Sequence, residues 1–174
     1  NLGLIDCESI GWTRQIADII ALFARVSKRI RRLLVLLDAE NMHFTNAAFS
    51  IVDSLRSMKL HNGSMLIRIT GCAHALFLTH IEFGSDKFRK SRRLPLIIAV
   101  NGIDKFEFEK HGIEDHVVKL MLLEGKIDSQ EISKYKEAKQ IVKKEKIVDV
   151  IKESNKKNVI LAFDHIVTLL KLFR

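Results

Sequence analysis

Two uninterrupted apolar runs constrain the fold of this chain more than any other feature: RLLVLL (32–37) and LPLIIAV (94–100). Both are rich in aliphatic side chains, and neither shows the polar alternation of a strand with one solvated face. The first run is typical of a strand that helices cover on both sides of a parallel sheet, and the second is predicted to be a further strand. Pro95 stands near the start of the second run, where a missing ladder donor is tolerated.

The segments around these runs alternate between helical and extended patterns. Apolar residues at three- and four-residue spacing predict amphipathic helices, whereas short β-rich runs predict strands. The predicted strands are LGLID (2–6), RLLVLL, SMLIRIT (64–70), LPLIIAV and NVILAF (158–163). The predicted helices span Trp12 to Ile30, Asn46 to Met58, a short AHALFLTHI (73–81), Glu107 to Leu123, Ser129 to Glu153, and HIVTLLKLF (165–173).

Strands separated by helical crossovers predict an α/β domain with a mostly parallel central sheet of about four to five strands and helices packed on it. The 174 residues, 47% of them hydrophobic, suit a single domain over 1–174. A sub-boundary is predicted within 90–128. Residues 129–157 would then form a helix-rich C-terminal insertion or extension.

Absent motifs exclude several classes of enzyme. The chain has no GxxxxGK[ST] or GxGxxG phosphate loop, no GxSxG elbow and no HExxH pair, and no cofactor is predicted. Its apolar runs are shorter than the ~20 residues that cross a bilayer, and no secretory signal is recognisable. Cys7 and Cys72 lack CxxC spacing and are predicted to be free thiols. We expect a cytoplasmic protein, or one at the periphery of a membrane.

The formal net charge of +8 permits contact with nucleic acid or an anionic membrane, although nucleic acid is not the favoured partner. The sequence KFRKSRR (87–93) could form a dense basic patch. Its members are Lys87, Arg89, Lys90, Arg92 and Arg93.

The N-terminal half resembles the STAS domain family, which includes anti-sigma-factor antagonists and regulatory domains of anion transporters. The resemblance rests on GLIDCES (3–9), then LLVLLDAENMHFTNAAF (33–49), then LHNGSMLIRI (60–69), and it covers about half of the chain. The matching features fall on Gly3, Asp6, Leu37, Asp38, Met42, Phe44, Asn46, Ala47, Asn62 and Gly63.

This resemblance implies a non-catalytic regulatory module in signal transduction. Its partner would be another protein, either a regulator or part of a membrane-associated complex. The phosphorylatable serine of the antagonists is replaced by Ala47 and the preceding aspartate by Asn46, so that switch is absent. Thr45 or Asn46 is predicted to cap the following helix. The predicted partner-binding residues are Met42, Phe44, Thr45, Asn46, Ala47 and Phe49.

An enzymatic alternative comes from LLVLLDAENM (33–42), which also resembles the first strand of NYN-type ribonucleases. That resemblance implies a strand-end aspartate that helps to hold a divalent metal, although the later paired acidic motifs of the family are not recognisable. Several carboxylates follow apolar runs, and oxygen ligands of this kind suit Mg²⁺ or Mn²⁺. The alternative metal ligands are Asp6, Asp38, Glu40, Asp104 and Asp164.

Overall fold

The computed structural model describes residues 12–26, 30–60, 67–68, 75–83, 92–143 and 146–173, and the structural statements below concern these residues. They form an α/β fold with one mixed sheet. The elements in chain order are α1 (Trp12–Val26), β1 (Leu33–Asp38), α2 (Phe44–Ser57), β2 (Ile67–Arg68), β3 (Ala75–Phe83), β4 (Arg92–Asn101), α3 (Ile113–Leu123), α4 (Ser129–Ile132), a 3-10 turn (Ala138–Gln140), α5 (Ile147–Glu153), α6 (Lys156–Ala162) and α7 (Asp164–Phe173).

The sheet has the strand order β1-β4-β3-β2. Its three long strands have six, nine and ten residues, and β2 adds only two residues on the far side of β3. β1 and β4 run parallel, whereas β3 is antiparallel to both β4 and β2. The α/β class is therefore confirmed, but the prediction of a mostly parallel sheet is wrong, because a single pair of the described strands is parallel.

β4 explains why LPLIIAV is apolar throughout. Its side chains alternate between two buried layers, because successive residues of a strand point to opposite faces. Leu96, Ile98 and Val100 pack in the layer with α1 and α2, and Ile97 and Ala99 pack in the layer that contains Leu169 of α7. The β1 ladder begins at the Leu33–Leu96 pair, so Pro95 lies just outside it and removes no bond to β1.

β1 is covered less completely than its sequence predicts. It forms the edge of the sheet in the described part of the chain. Val35 faces the α1 and α2 layer, whereas the side chain of Leu36 is 46% exposed. On the second face Leu34 packs against the cluster that contains Leu169, so the prediction of two covered faces fails at Leu36.

The predicted helix AHALFLTHI is wrong, because residues 75–83 form β3. Its partner is β4, with register pairs from Ala75–Val100 to Phe83–Arg92. A short apolar run does not distinguish the two conformations by periodicity, and the long ladder with β4 decides this one.

The C-terminal part is helical but more broken than predicted. The helix expected from Glu107 begins only at Ile113, and the single helix expected from Ser129 to Glu153 consists of α4, the 3-10 turn and α5. NVILAF is not a strand. It belongs mainly to α6, whose N-cap Asn155 accepts a hydrogen bond from the Lys157 N–H at 2.8 Å. HIVTLLKLF is helical as predicted.

These helices enclose a third hydrophobic cluster around α3, apart from the two clusters on the sheet. Its buried members are Phe108, Val117, Val118, Leu120, Ile127, Ile132, Ala138, Val142, Ala162 and Phe163. Because α3 belongs to it, the cluster extends beyond the predicted insertion 129–157. The sub-boundary within 90–128 stays a prediction.

Several predicted features lie outside the described residues. They are the strand LGLID, both cysteines Cys7 and Cys72, the predicted ligand Asp6, and the basic residues Lys87, Arg89 and Lys90.

Candidate functional site

The carboxyl ends of the parallel strands β1 and β4 define the candidate site. Asp38 ends β1, Asn101 ends β4, and the two residues are register partners. Asn101 Nδ2 donates a hydrogen bond to Asp38 Oδ1 at 2.9 Å. In open α/β sheets, ligands bind in the crevice beyond such strand ends.

Gly102 turns the chain away from the sheet immediately after β4. Its φ of +130° suits glycine, and a Cβ there would lie 2.7 Å from His111 Cβ and 3.0 Å from Phe44 Cε1. The chain then returns through residues 103–112. Glu40 and His111 exchange two backbone hydrogen bonds, at 2.8 and 2.7 Å, although Glu40 has a left-handed φ of 54°. This bridge places the start of α3 beside Asp38.

Gly112 and Glu114 bring a second carboxylate to the strand end. Gly112 is the N-cap of α3, and the Ile113 N–H donates a hydrogen bond to Asp38 Oδ1 at 3.1 Å. A Cβ on Gly112 would lie 3.0 Å from Glu114 Oε2 and 3.3 Å from Asp38 Oδ2. The two carboxylates therefore flank the same small space, which stays open because residue 112 has no side chain.

Asp115 orients the side chain of His111 beside this space. The Asp115 side chain is fully buried, and its Oδ2 accepts hydrogen bonds from the Ile103 N–H at 2.9 Å and from His111 Nδ1 at 2.7 Å. Burial raises the pKa of Asp115, although the hydrogen bonds from His111 and the Ile103 N–H act in the opposite direction. The pair holds the His111 ring at the wall of the site.

Together these groups line a pocket of about 190 Å³. Burial raises the pKa of Asp38, and the negative charges of Glu114 and Glu40 raise it further; the hydrogen bonds from Asn101 and the Ile113 N–H lower it. Five carboxylates face two lysines here, so the pocket is acidic although the chain as a whole is basic. Its lining residues are Asp38, Glu40, Lys110, His111, Gly112, Glu114, Asp115, Glu137, Ala138 and Lys139.

The structure brings together two of the five metal ligands predicted from the sequence, Asp38 and Glu40. Asp104 is exposed, and its carboxylate lies 3.9 Å from His43 Nε2, outside the pocket lining. Asp164 begins α7 and is also absent from the lining. Neither Asp104 nor Asp164 therefore lines the pocket with Asp38 and Glu40.

Sequence reasoning missed the remaining pocket residues, above all Glu114 and Asp115. A usable signal exists in HGIEDHVV (111–118), where two acids occupy the first turn of a helix directly after a glycine. That signal predicts a helix start. It does not show that the helix starts beside Asp38.

The predicted partner-binding corner is partly core. Phe44 and Ala47 are buried, and Met42 packs partly buried against the same cluster, so the assignment of Phe44 and Ala47 to a contact surface is wrong. Asn46 is exposed and Phe49 is 39% exposed.

The predicted cap of α2 is also wrong. Neither Thr45 nor Asn46 is the N-cap; His43 is, and its Nδ1 accepts a hydrogen bond from the Thr45 N–H at 3.3 Å.

Two members of the predicted basic patch lie in β4. Arg92 begins the strand, and Arg93 places its Nε 3.7 Å from Glu82 Oε1 across the β3–β4 ladder. The side chain of Arg93 is 60% exposed. It is therefore partly neutralised by an acid and still accessible to solvent.

The fold and the pocket define an α/β protein with an acidic site at the carboxyl edge of a parallel strand pair. No family model, curated protein or solved structure matches the chain. In the part of the chain that the structure describes, no helix is both long and apolar enough to span a bilayer.

Proposed function

We propose that the pocket binds a divalent cation, Mg²⁺ or Mn²⁺, and that the chain uses it to hydrolyse phosphodiester bonds in RNA. The observation that carries the proposal is the pair of carboxylates, Asp38 and Glu114, on either side of the space above Gly112. A cation between them would offset the repulsion that helps to raise the pKa of Asp38.

The donor set fits these cations better than it fits zinc or calcium. Among the described residues, no three histidine, cysteine, aspartate or glutamate side chains are arranged to hold a metal ion by themselves. Mg²⁺ does not need such a cage, because proteins commonly bind it through one or two carboxylates while water and substrate phosphates complete the shell. Asp38 and Glu114 are the residues that would hold it.

The other pocket residues suit a phosphate-bearing substrate. Lys110 and Lys139 line the same pocket as the carboxylates. Lys139 Nζ lies 2.6 Å from Glu137 Oε2, so Lys110 is the residue whose ammonium group would hold a phosphate oxygen. The net charge of +8 attracts a polyanion from a distance. A bound divalent cation polarises a phosphoryl oxygen and promotes ionisation of water. The ribonuclease resemblance of LLVLLDAENM supports the same class of reaction.

The test is calorimetric titration of Mn²⁺ into the wild-type protein, Asp38→Asn and Glu114→Gln. We expect saturable binding in the wild type and loss of at least about tenfold in affinity in each variant. Asp104→Asn is the matched control, since it removes a strand-end acid that does not line the pocket. Mn²⁺-dependent cleavage of a labelled single-stranded RNA should be retained in the wild type and in Asp104→Asn. It should be reduced in Asp38→Asn and Glu114→Gln. Flat titrations of the wild type would refute the proposal.

A docking function is the second candidate, and the exposed ring of Phe49 beside the exposed Asn46 favours it. This is the surface that remains of the STAS-like corner once Phe44 and Ala47 are assigned to the core. The expected result is that Phe49→Asp and Asn46→Asp abolish capture of a partner protein while the far-ultraviolet circular dichroism is unchanged. Capture that persists in both variants would refute docking at this corner.

A further inference from the structure

A chain of buried polar side chains leads from Asp38 into the interior. Asn101 donates its amide N–H to Asp38 Oδ1 at 2.9 Å, and its amide oxygen lies 2.8 Å from His165 Nε2. Asn101 is 4% exposed and His165 is fully buried. The contact between Asn101 and His165 is therefore shielded from competing water, which strengthens it, whereas the contact with Asp38 is part-buried at the pocket.

These contacts determine the orientation of the Asn101 amide. A carboxamide has a donor end and an acceptor end, and a neutral imidazole has one N–H. With Nε2 of His165 as the donor, the amide oxygen turns toward the histidine and the amide nitrogen toward Asp38. The reversed amide would place its oxygen against the Asp38 carboxylate and its N–H groups against the Nε2–H, which is repulsive at both ends.

The donor to Asn101 comes from the C-terminal helix. His165 is the second residue of α7, and Leu169 anchors this helix against Ile97 and Ala99 of β4. The His165 ring stacks on His116 of α3, with ring centroids 4.3 Å apart.

His116 is held at both ring nitrogens. Its Nε2 accepts a hydrogen bond from the Gly102 N–H at 3.0 Å, and its Nδ1 donates to the Ala162 carbonyl oxygen at 3.0 Å. The stacked pair therefore joins α3, α6 and α7 to the end of β4.

We infer that Asn101 and His165 are positioning residues, which hold the Asp38 carboxylate in the orientation that the pocket requires. The inference depends on the proposed function in one respect: cation binding is the purpose for which the Asp38 carboxylate is held. His165 does not touch the pocket and acts through Asn101. Docking of α7 against the sheet thus completes the site, although α7 contributes no residue to the pocket lining.

The first test measures the amide directly and needs no metal. In the wild type, ¹⁵N NMR should show slow hydrogen exchange of the Asn101 side-chain amide. His165→Phe retains an aromatic ring against His116 but removes the donor, and we expect it to abolish that protection. Ile132→Ala is the matched control, because it removes a buried side chain from α4 without touching the chain of hydrogen bonds or the packing of α7 on the sheet. Unchanged protection in His165→Phe would overturn the inference.

The second test is Mn²⁺ titration of the same variants. His165→Phe should weaken binding roughly 10- to 100-fold, as the loss of an outer-shell partner does, while Ile132→Ala keeps the wild-type affinity. If His165→Phe does not fold, Asn101→Leu removes the donor to Asp38 at similar volume and should give the same loss. Wild-type affinity in His165→Phe or Asn101→Leu would refute the positioning role and leave the proposed function intact.

Failure of the proposed function gives a different result. If the wild type binds no Mn²⁺, cation binding fails, and the NMR comparison alone decides whether Asn101 is held by His165. His165→Gln provides a rescue test, because its amide N–H can donate to the Asn101 oxygen. It should restore both protection and affinity relative to His165→Phe, and equal loss in the two variants would count against the hydrogen bond as the cause.

Discussion

Replacement of Gly112 by alanine tests whether the space between Asp38 and Glu114 is the site. The backbone φ of −154° is extended and suits alanine, so any effect comes from the added methyl group. That group would lie 3.0 Å from Glu114 Oε2 and 3.2 Å from Asp38 Cγ. Glu114 can move aside as a flexible chain. Asp38 cannot, because Asn101 and the Ile113 N–H hold it.

The expected loss of stability is modest. Overpacking of this kind costs about 1–3 kcal/mol, whereas the smaller conformational freedom of alanine in the unfolded chain returns about 0.4–1 kcal/mol. A net loss of about 1 kcal/mol corresponds to a decrease in Tm of about 2–4 °C for a chain of this length. The relative loss of cation affinity should be larger than the loss of stability. We expect a decrease of at least about tenfold, because the methyl group occupies the space between the two ligands and displaces them.

Thermal denaturation and Mn²⁺ calorimetry on the same preparations separate the two effects. Gly125→Ala is the control, since Gly125 has a φ of +69° and no atom within 4 Å of an added Cβ. The strain of that conformation costs about 1–2 kcal/mol and therefore matches the loss in stability. The Gly125→Ala variant should leave Mn²⁺ binding unchanged. Wild-type affinity in Gly112→Ala, or equal loss in both variants, would refute the assignment of the cation to this space.

Three further predictions concern stability. The raised pKa of Asp38 means that its ionised form destabilises the fold above that pKa, and the cost disappears as the pH falls toward 3.8. Without metal, Asp38→Asn should therefore have the higher Tm at pH 7, and the difference should shrink on acidification; a constant difference would refute this cause. Gly102→Ala should cost more than about 3 kcal/mol in urea unfolding, since it combines a left-handed φ with a 2.7 Å clash. Leu120→Ala should cost about 2–5 kcal/mol in a single unfolding transition, because hydrogen bonds join α3 to β1, and two transitions would indicate separate units.

The elements that sequence analysis predicted correctly are those decided by local pattern. LPLIIAV is apolar at every position because β4 is buried on both faces, and HIVTLLKLF carries a helical stripe. AHALFLTHI and NVILAF failed because each is short and apolar. The ladder with β4 makes the first a strand, and packing against α3 makes the second a helix.

The site was predicted only where it follows a strand. Asp38 and Glu40 could be found because acids that end a buried run lie at the edge of the sheet. Glu114 and Asp115 could not, because Ile113, which brings them to Asp38, is 75 residues further along the chain. Likewise, His165 lies 64 residues from Asn101. Contacts of this separation depend on the order and direction of the strands, and the sequence analysis predicted a helix where β3 lies.

Electrostatic cost distinguishes the two candidate functions. At the Phe49 corner the structure shows an exposed ring, which is common on protein surfaces and needs no explanation. At the pocket, Asp38 and Glu114 flank the same space, and the charges of Glu114 and Glu40 oppose the ionisation of Asp38, whose pKa burial already raises. Clusters that shift pKa values in this way concentrate at functional sites.

A ligand that relieves this cost must stabilise the fold. Mn²⁺ at about 100 times its Kd should therefore stabilise the wild type by about 2.7 kcal/mol. The same addition should stabilise Asp38→Asn by at most about 1.4 kcal/mol, because its affinity for Mn²⁺ is expected to be at least about tenfold lower. If Mn²⁺ raises the Tm of Asp38→Asn as much as that of the wild type, the ion binds elsewhere on the protein. That result would favour the docking function at the Phe49 corner.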